Sequence, residues 1–310
     1  MIALHSLRTD RFRPALESVG GPGLIQPMLR IMGLSAHTIS QHFKEFCLVT
    51  DDAGAEMARK CMLPYTDIIS VGENFDSDPC FWTHSKFVAY ASDRPFVHFD
   101  NDLFLWDPLP NRLLEADVFA FSPETLRWLM YSKYIKLLDH SMQLDGLHKK
   151  HFTNRVPVNM CIFGGNNVSA LTAFANHVTD FISANNGFYH CTPEQKSAIM
   201  ESMPVLEQLW ASCFIQNELG VKLDFALEEE MVVNNQPASD VKITHLHGLK
   251  LLAQNNPGNV ELAQIFNKVN TRLFELAPKV SAAIYAYGQV PELELGANND
   301  STVTNEPAHN

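Results

Sequence analysis

The chain has 310 residues, 46% of them hydrophobic and 19% charged, and a formal net charge of −12. That length buries a full core, that composition excludes general disorder, and that charge disfavours a nucleic-acid partner held by a broad basic surface. The six cysteines are scattered with no C-x-x-C pair, which argues against a zinc site or disulfide framework and suits a reducing, cytoplasmic setting.

The first residues, MIALHSLRTDRFR, lack the apolar core of a signal peptide, and Ile2 to Leu7 among them reads as a strand. Gly20, Gly21, Pro22 and Gly23 mark a loop. Leu24 to Phe43 carries apolar residues at helical spacing and reads as a helix, with Gly33 a candidate break. Phe46 to Val49 is a second apolar strand, followed by Thr50, Asp51 and Asp52. A helix from Ala53 to Met62 and a strand from Ile68 to Val71 come next. Thr50 and Asp51 sit at a strand end, where they either cap the helix or face a base or ribose. This strand–helix–strand rhythm predicts a parallel, Rossmann-like sheet.

Phe81 to Ala91 reads as a helix leading to the next strand. Lys86 is the one cation inside it, either solvated or aimed at a diphosphate or at nearby carboxylates. Phe96, Val97, His98 and Phe99 have the pattern of a buried parallel strand, and the run ends in Asp100-Asn101-Asp102. Ligands in open α/β sheets bind outside the carboxyl ends of the strands. Two carboxylates two positions apart can hold a hard divalent cation there, Mg²⁺ or Mn²⁺. The plain alternative is a chance D-x-D triplet, with Asp100 capping a turn and Asp102 solvated.

Asn111 to Glu115, Asp117 to Phe121 and Thr125 to Leu138 read as helix, strand and helix. His148, Lys149, Lys150 and His151 form a small basic cluster. Val156 to Gly165 (VPVNMCIFGG) reads as a strand. Its Asn159 needs a hydrogen-bond partner, and Gly164 and Gly165 permit a ligand to approach the backbone. Pro193 to Leu219 reads as one long helix with a core stripe of Ile199, Met203, Leu206, Leu209 and Trp210. Glu207 and Gln208 interrupt that stripe, so Glu207 either points into a cleft or is an ordinary exposed carboxylate. Val221 to Phe225 is a further strand, and Glu228 to Glu230 a solvated acidic run. Lys242 to Lys250 (KITHLHGLK) combines two imidazoles, which bind transition metals, with a lysine suited to phosphate. Glu261 to Leu276 reads as the final helix, and the tail from about Pro291 as disordered. No apolar run is long enough to span a bilayer.

Asp100-Asn101-Asp102, the Asn159 to Gly165 strand and the His245 to Lys250 segment follow the order seen in metal-dependent GT-A glycosyltransferases. The layout resembles the family that includes glycogenin and the bacterial lipopolysaccharide galactosyltransferases. The resemblance implies an α/β, GT-A-like (Rossmann-like) fold: a mixed, mostly parallel sheet flanked by helices, with a helical C-terminal part. It implies one domain over residues 1–290, with a nucleotide-sugar half to about 120 and an acceptor half beyond, ahead of a 291–310 tail. It also implies that Asp100, Asp102 and His245 bind Mn²⁺ (or Mg²⁺). The spacing from His245 to Lys250 is one residue short, which makes His247 a rival ligand. The resemblance makes Lys250 the phosphate lysine; with Asp100 and Asn101, and with Lys86, Thr50 and Asp51 taken from their positions at a helix and a strand end, it completes the candidate nucleotide-binding set. The resemblance places Asn159 on the sugar and acceptor site, and Glu207, from its place in the helical stripe, is the candidate for acceptor orientation or base work. Cys161 stands where that strand usually has glycine. The stretch from Leu63-Pro64-Tyr65 through Trp82 and Lys86 also resembles a bacterial family of unassigned function with glycosyltransferase-like character.

The implied function is transfer of a sugar from a nucleotide diphosphate-sugar, a UDP-sugar first, to an unknown acceptor: glycan, lipid headgroup, peptide or small metabolite. The alternatives are a nucleotide-sugar-binding protein without turnover and a metal-dependent nucleotidyltransferase or phosphohydrolase.

Overall fold

The computed structural model describes residues 1–9, 25–72, 75, 77–125, 128–141, 156–184, 192–228, 241–246 and 259–288. The expected Gly20–Gly23 loop, the His148–His151 cluster, Glu229, Glu230, His247, Lys250 and the 291–310 tail lie outside them.

The first half alternates as expected: β1 (Ile2–Leu7), α1 (Ile25–Ser40), β2 (Phe46–Thr50), α2 (Asp52–Lys60), β3 (Asp67–Ser70), α3 (His84–Tyr90) and β4 (Phe96–Phe99). Then come β5 (Leu103–Leu105), α4 (Asn111–Leu114), β6 (Val118–Pro123), α5 (Trp128–Ser141), β7 (Val158–Gly165) and α6 (Val168–Ala184). The C-terminal part contributes α7 (Pro193–Pro204), α8 (Trp210–Cys213), β8 (Leu223–Phe225), β9 (Ile243–His245), α9 (Val260–Leu276) and α10 (Pro278–Tyr287).

Seven strands form one sheet in the order β3-β2-β1-β4-β7-β6-β8, and β5 and β9 form a separate two-stranded ribbon. β3, β2, β1 and β4 pair in parallel, whereas β7 runs antiparallel to both β4 and β6. This is the expected architecture of a mixed, mostly parallel Rossmann-like sheet flanked by helices, with a helical C-terminal part. Every residue of β1, β2 and β4 is buried, as a sheet covered on both faces requires. The faces separate cleanly. Ile2, Leu4 and Phe96 pack with Phe87 of α3 and Phe174 of α6, while Ala3, Val97 and Phe99 pack with Ile39 of α1 and Leu113 of α4. Cys47, Cys61, Cys80, Cys161 and Cys213 are all buried. Among the described residues no helix is long and apolar enough to cross a membrane.

Three helical expectations change. α1 is unbroken through Gly33, because its missing side chain leaves room for Ile284 of α10, whose Cδ1 would lie 2.8 Å from a Cβ there. α9 is not the last helix, since α10 follows with Pro278 pre-set at its first turn. The long Pro193–Leu219 helix is interrupted by two π-helical turns, Val205–Leu209 and Phe214–Glu218, on either side of α8. Pro204 has no N–H to give the Met200 carbonyl, and the Trp82 indole donates to that carbonyl instead at 3.1 Å. The first π turn carries Glu207.

The pair Gly164-Gly165 serves the sheet and not a ligand. Antiparallel pairing sets Gly165 opposite Phe96, at the other end of β4 from Asp100. A Cβ on Gly164 would drive into the Phe96 carbonyl, and one on Gly165, where φ is +150°, into the Asp117 carbonyl. Gly164→Ala is expected to cost about 3 kcal/mol through forced separation of β4 and β7. Urea denaturation checks it, and an unchanged midpoint would show that the strands part freely.

Candidate metal centre

β4 stops at Phe99 and the chain turns at once. The Asp100 N–H donates to the Cys161 carbonyl on β7 at 2.9 Å, and the Leu103 N–H closes the turn onto the Asp100 carbonyl at 3.1 Å. The Asn101 side-chain amide donates to the Ser6 carbonyl of β1 at 2.8 Å, which anchors the turn across the carboxyl ends of two parallel strands. β5 then leaves the sheet and pairs with β9. In that ribbon Leu103 faces His245, and the Leu246 N–H donates to the Asp102 carbonyl at 3.0 Å. Trp106 Nε1 reinforces the ribbon with a 2.9 Å bond to Thr244 Oγ1. Backbone register therefore carries His245 from far along the chain to the side of Asp102.

One ligand atom from each of Asp100, Asp102 and His245 lies within 4.8 Å of the others. His245 Nε2 is 3.5 Å from Asp102 Oδ1 and 3.9 Å from Asp100 Oδ2. Two carboxylates and one imidazole fit a divalent cation, and the nitrogen suits Mn²⁺ better than the strictly oxygen-seeking Mg²⁺. Burial opposes a charge on His245, but the neighbouring Cys161 and Asp102 outweigh burial and hold its pKa well above the ordinary value. A cation bound here competes with that proton.

α3 delivers Lys86 to the same place. Its Nζ lies 2.6 Å from Asp100 Oδ1 and 2.6 Å from Glu207 Oε1, with the Trp82 ring centroid 5.9 Å away. Of the two readings open for Lys86, a solvated lysine is excluded: its side chain is only 12% exposed. Glu207 is likewise no surface carboxylate, at 1% exposed. Burial works against the Lys86 charge, yet Asp100 and Glu207 together hold its pKa well above the ordinary value. Glu207 is pushed up to about 7, chiefly by burial, with Lys86 opposing and Asp100 adding to the rise. One ammonium shared by two carboxylates leaves the second only partly compensated.

Asn159 is satisfied within β7 and by Glu124. Its Oδ1 accepts from the Cys161 N–H at 3.0 Å, and its Nδ2 donates to Glu124 Oε1 at 3.2 Å. Tyr131 of α5 donates to Glu124 Oε2 at 2.5 Å and also meets Gln208. Sequence reasoning missed Glu124 and Tyr131; the one available signal was a carboxylate directly after the apolar β6 run. Asp51 takes the capping role of its two readings. Its carboxylate accepts from the Gly54 N–H at 2.8 Å and from the Thr9 N–H and hydroxyl at 2.7 Å each. Thr50 is buried beside it at the end of β2. An open groove between α5 and α7, bordered by Lys133, Glu194 and Glu201, contains none of these residues.

The fold is similar to that of the galactosyltransferase LgtC solved with donor and acceptor sugar analogs, at 11% identity over 87% of this chain and 95% of that one, with a TM-score of 0.44. A second LgtC structure, of an active-site mutant, gives 11% identity over 88% and 96% of the two chains and the same TM-score of 0.44. The glycosyltransferase GlyE of Streptococcus pneumoniae TIGR4 gives 10% identity over 86% and 63%, with a TM-score of 0.32. No curated protein matches. A family model matches residues 17–279, and the chain belongs to that family, the family of unknown function DUF6734.

Proposed function

We propose that the protein transfers a sugar from a nucleotide diphosphate-sugar, a UDP-sugar first, to an acceptor, using a divalent cation held by Asp100, Asp102 and His245. The observation that carries this reading is the convergence of those three ligand atoms at the carboxyl end of a parallel strand. Such a cation supplies Lewis-acid stabilisation of the charge that develops on a leaving diphosphate. Lys86 adds a fixed positive charge beside Asp100, held there by Glu207. Glu207 Oε1 is engaged with Lys86, while Oε2 has no hydrogen-bond partner among the described residues and is the oxygen that would orient or deprotonate an acceptor hydroxyl. Asn159, locked by Glu124 and its own strand, lines the sugar side. Asn101 holds the turn, and Thr50 and Asp51 shape the nucleotide end of β2. Lys250 keeps its proposed phosphate role and His247 its place as rival ligand. His245 is preferred because the β5–β9 ribbon brings it to the carboxylates.

A screen of nucleotide-sugars with Mn²⁺ tests this, read by thermal stabilisation and by products. A bound donor at a hundred times its Kd is expected to stabilise the protein by about 2.7 kcal/mol, to lose that effect with EDTA, and to release nucleoside diphosphate with matching sugar transfer. Release of pyrophosphate or inorganic phosphate would assign the site to nucleotidyl transfer or phosphohydrolysis instead. Binding without turnover would leave a nucleotide-sugar-binding protein, and no stabilisation by any nucleotide-sugar would overturn the reading.

A further inference from the structure

The β5–β9 ribbon, which brings His245 to Asp102, is tied to α1 by two hydroxyls. Within the ribbon the Leu246 N–H reaches the Asp102 carbonyl at 3.0 Å and the Trp106 N–H reaches the Lys242 carbonyl at 2.9 Å. With Leu103 opposite His245 and Leu105 opposite Ile243, that pattern turns the Leu103 carbonyl and the Leu105 N–H away from β9. Thr38 Oγ1 accepts from the Leu105 N–H at 3.2 Å, and Ser35 Oγ donates to the Leu103 carbonyl at 2.6 Å. Ser35 Oγ also lies 3.3 Å from His5 Nε2, and His5 Nδ1 lies 2.8 Å from the Tyr65 hydroxyl.

Proton counting fixes the direction of these bonds. A carbonyl only accepts, so the single Ser35 proton goes to Leu103, and Ser35 Oγ accepts from His5 Nε2–H. His5 is 0% exposed, and burial pushes its pKa down to about 3 against the pull of Asp102, so the ring is neutral and carries one proton. His5 Nδ1 is then the acceptor and Tyr65 the donor. The chain of donors ends on the residue that follows a metal-ligand candidate.

We propose that Tyr65, His5 and Ser35 form a one-way hydrogen-bond relay in which His5 is a positioning residue, holding β5 so that Asp102 and His245 meet Asp100 around the cation. The proposal rests on the metal-binding reading of those three side chains. Asp100 is anchored separately, its N–H on the Cys161 carbonyl of β7. Asp102 and His245 are joined through the ribbon and move with it. Loosening the relay therefore separates two ligands from the third, and loss of a group that orients ligands weakens a metal site.

The test uses His5→Phe, which keeps a ring and deletes both nitrogens, Ser35→Ala, which deletes the hydroxyl, and His5→Gln, which returns an N–H donor near the Nε2 position. Mn²⁺ affinity of the full chain, followed by electron paramagnetic resonance, is expected to fall roughly 10-fold or more in His5→Phe and Ser35→Ala and to recover in His5→Gln. If either deletion does not fold, Tyr65→Phe, which removes only the first hydroxyl of the relay, is read in its place. Wild-type affinity in the deletions would overturn the proposal. So would a His5 ring ¹⁵N signature of the Nδ1–H tautomer, which reverses the relay. Hydrogen exchange without metal separates this idea from the metal reading. If the wild type binds no Mn²⁺, faster exchange of the Leu246 amide in Ser35→Ala, relative to the amides of β2, still supports the relay. Unchanged exchange, or an equal rise in both places, removes it.

Discussion

Asp102→Asn is expected to weaken Mn²⁺-dependent binding of a UDP-sugar by at least about 100-fold while leaving the protein folded. The carboxylate sits in the turn after β4, its oxygen 3.5 Å from His245 Nε2, and its backbone carbonyl is separately held by the Leu246 N–H. The substitution therefore removes charge from the ligand set without touching the backbone bonds that build the turn. An amide oxygen still fits the space and no core volume is lost, but the buried His245 imidazole loses a charged partner, so the stability loss should stay at about 1–3 kcal/mol. Titration calorimetry with Mn²⁺ and UDP-sugars, paired with urea denaturation, checks both halves. Unchanged affinity would take Asp102 out of the metal site. A large stability loss would mean that the carboxylate holds the ribbon together.

The parts legible in the sequence are those whose signal is local. β4 is an apolar run cut off by Asp100-Asn101-Asp102, and both the strand and its termination at Phe99 follow from that contrast. Asp51 is legible for the same reason, because an aspartate between a buried strand and a helix has an N–H waiting three residues on. The contact of His245 with the carboxylates is not local. Composition marks it only as one of two histidines, and its place beside Asp102 comes from the β5–β9 register. Glu207 shows the limit most clearly. Helical periodicity marks it as an interruption of an apolar stripe. Its burial against Lys86 depends on the π turn after Pro204, which has no periodic signature of its own. The Gly164-Gly165 pair misleads because glycine signals a close approach without saying by what. Strand direction decides that, and an antiparallel β7 puts the glycines at the far end of the sheet.

Lys86→Met should be the most damaging single change at the site, costing about 3–5 kcal/mol at pH 8, because it strands a buried carboxylate. Glu207 is 1% exposed, and its one hydrogen-bond partner among the described residues is the Lys86 ammonium. Asp100 loses the same partner but, at 23% exposed, retains access to water. The loss should depend on pH with a definite sign. Glu207 already has a folded pKa of about 7, above its ordinary 4.5. Its contribution is complete below pH 4.5 and falls as pH climbs through 7, since the unfolded chain releases the proton first. Removing Lys86 takes away what opposes that rise, so the deficit should be largest above pH 7 and shrink toward pH 4.5. Lys86→Met combined with Glu207→Gln should recover at least half of the loss, because no buried charge is then left uncompensated. Urea denaturation of the single and double variants at pH 5 and pH 8 measures all of this. A double variant no more stable than Lys86→Met at pH 8 would show that Lys86 acts through packing against Trp82 and not through its charge.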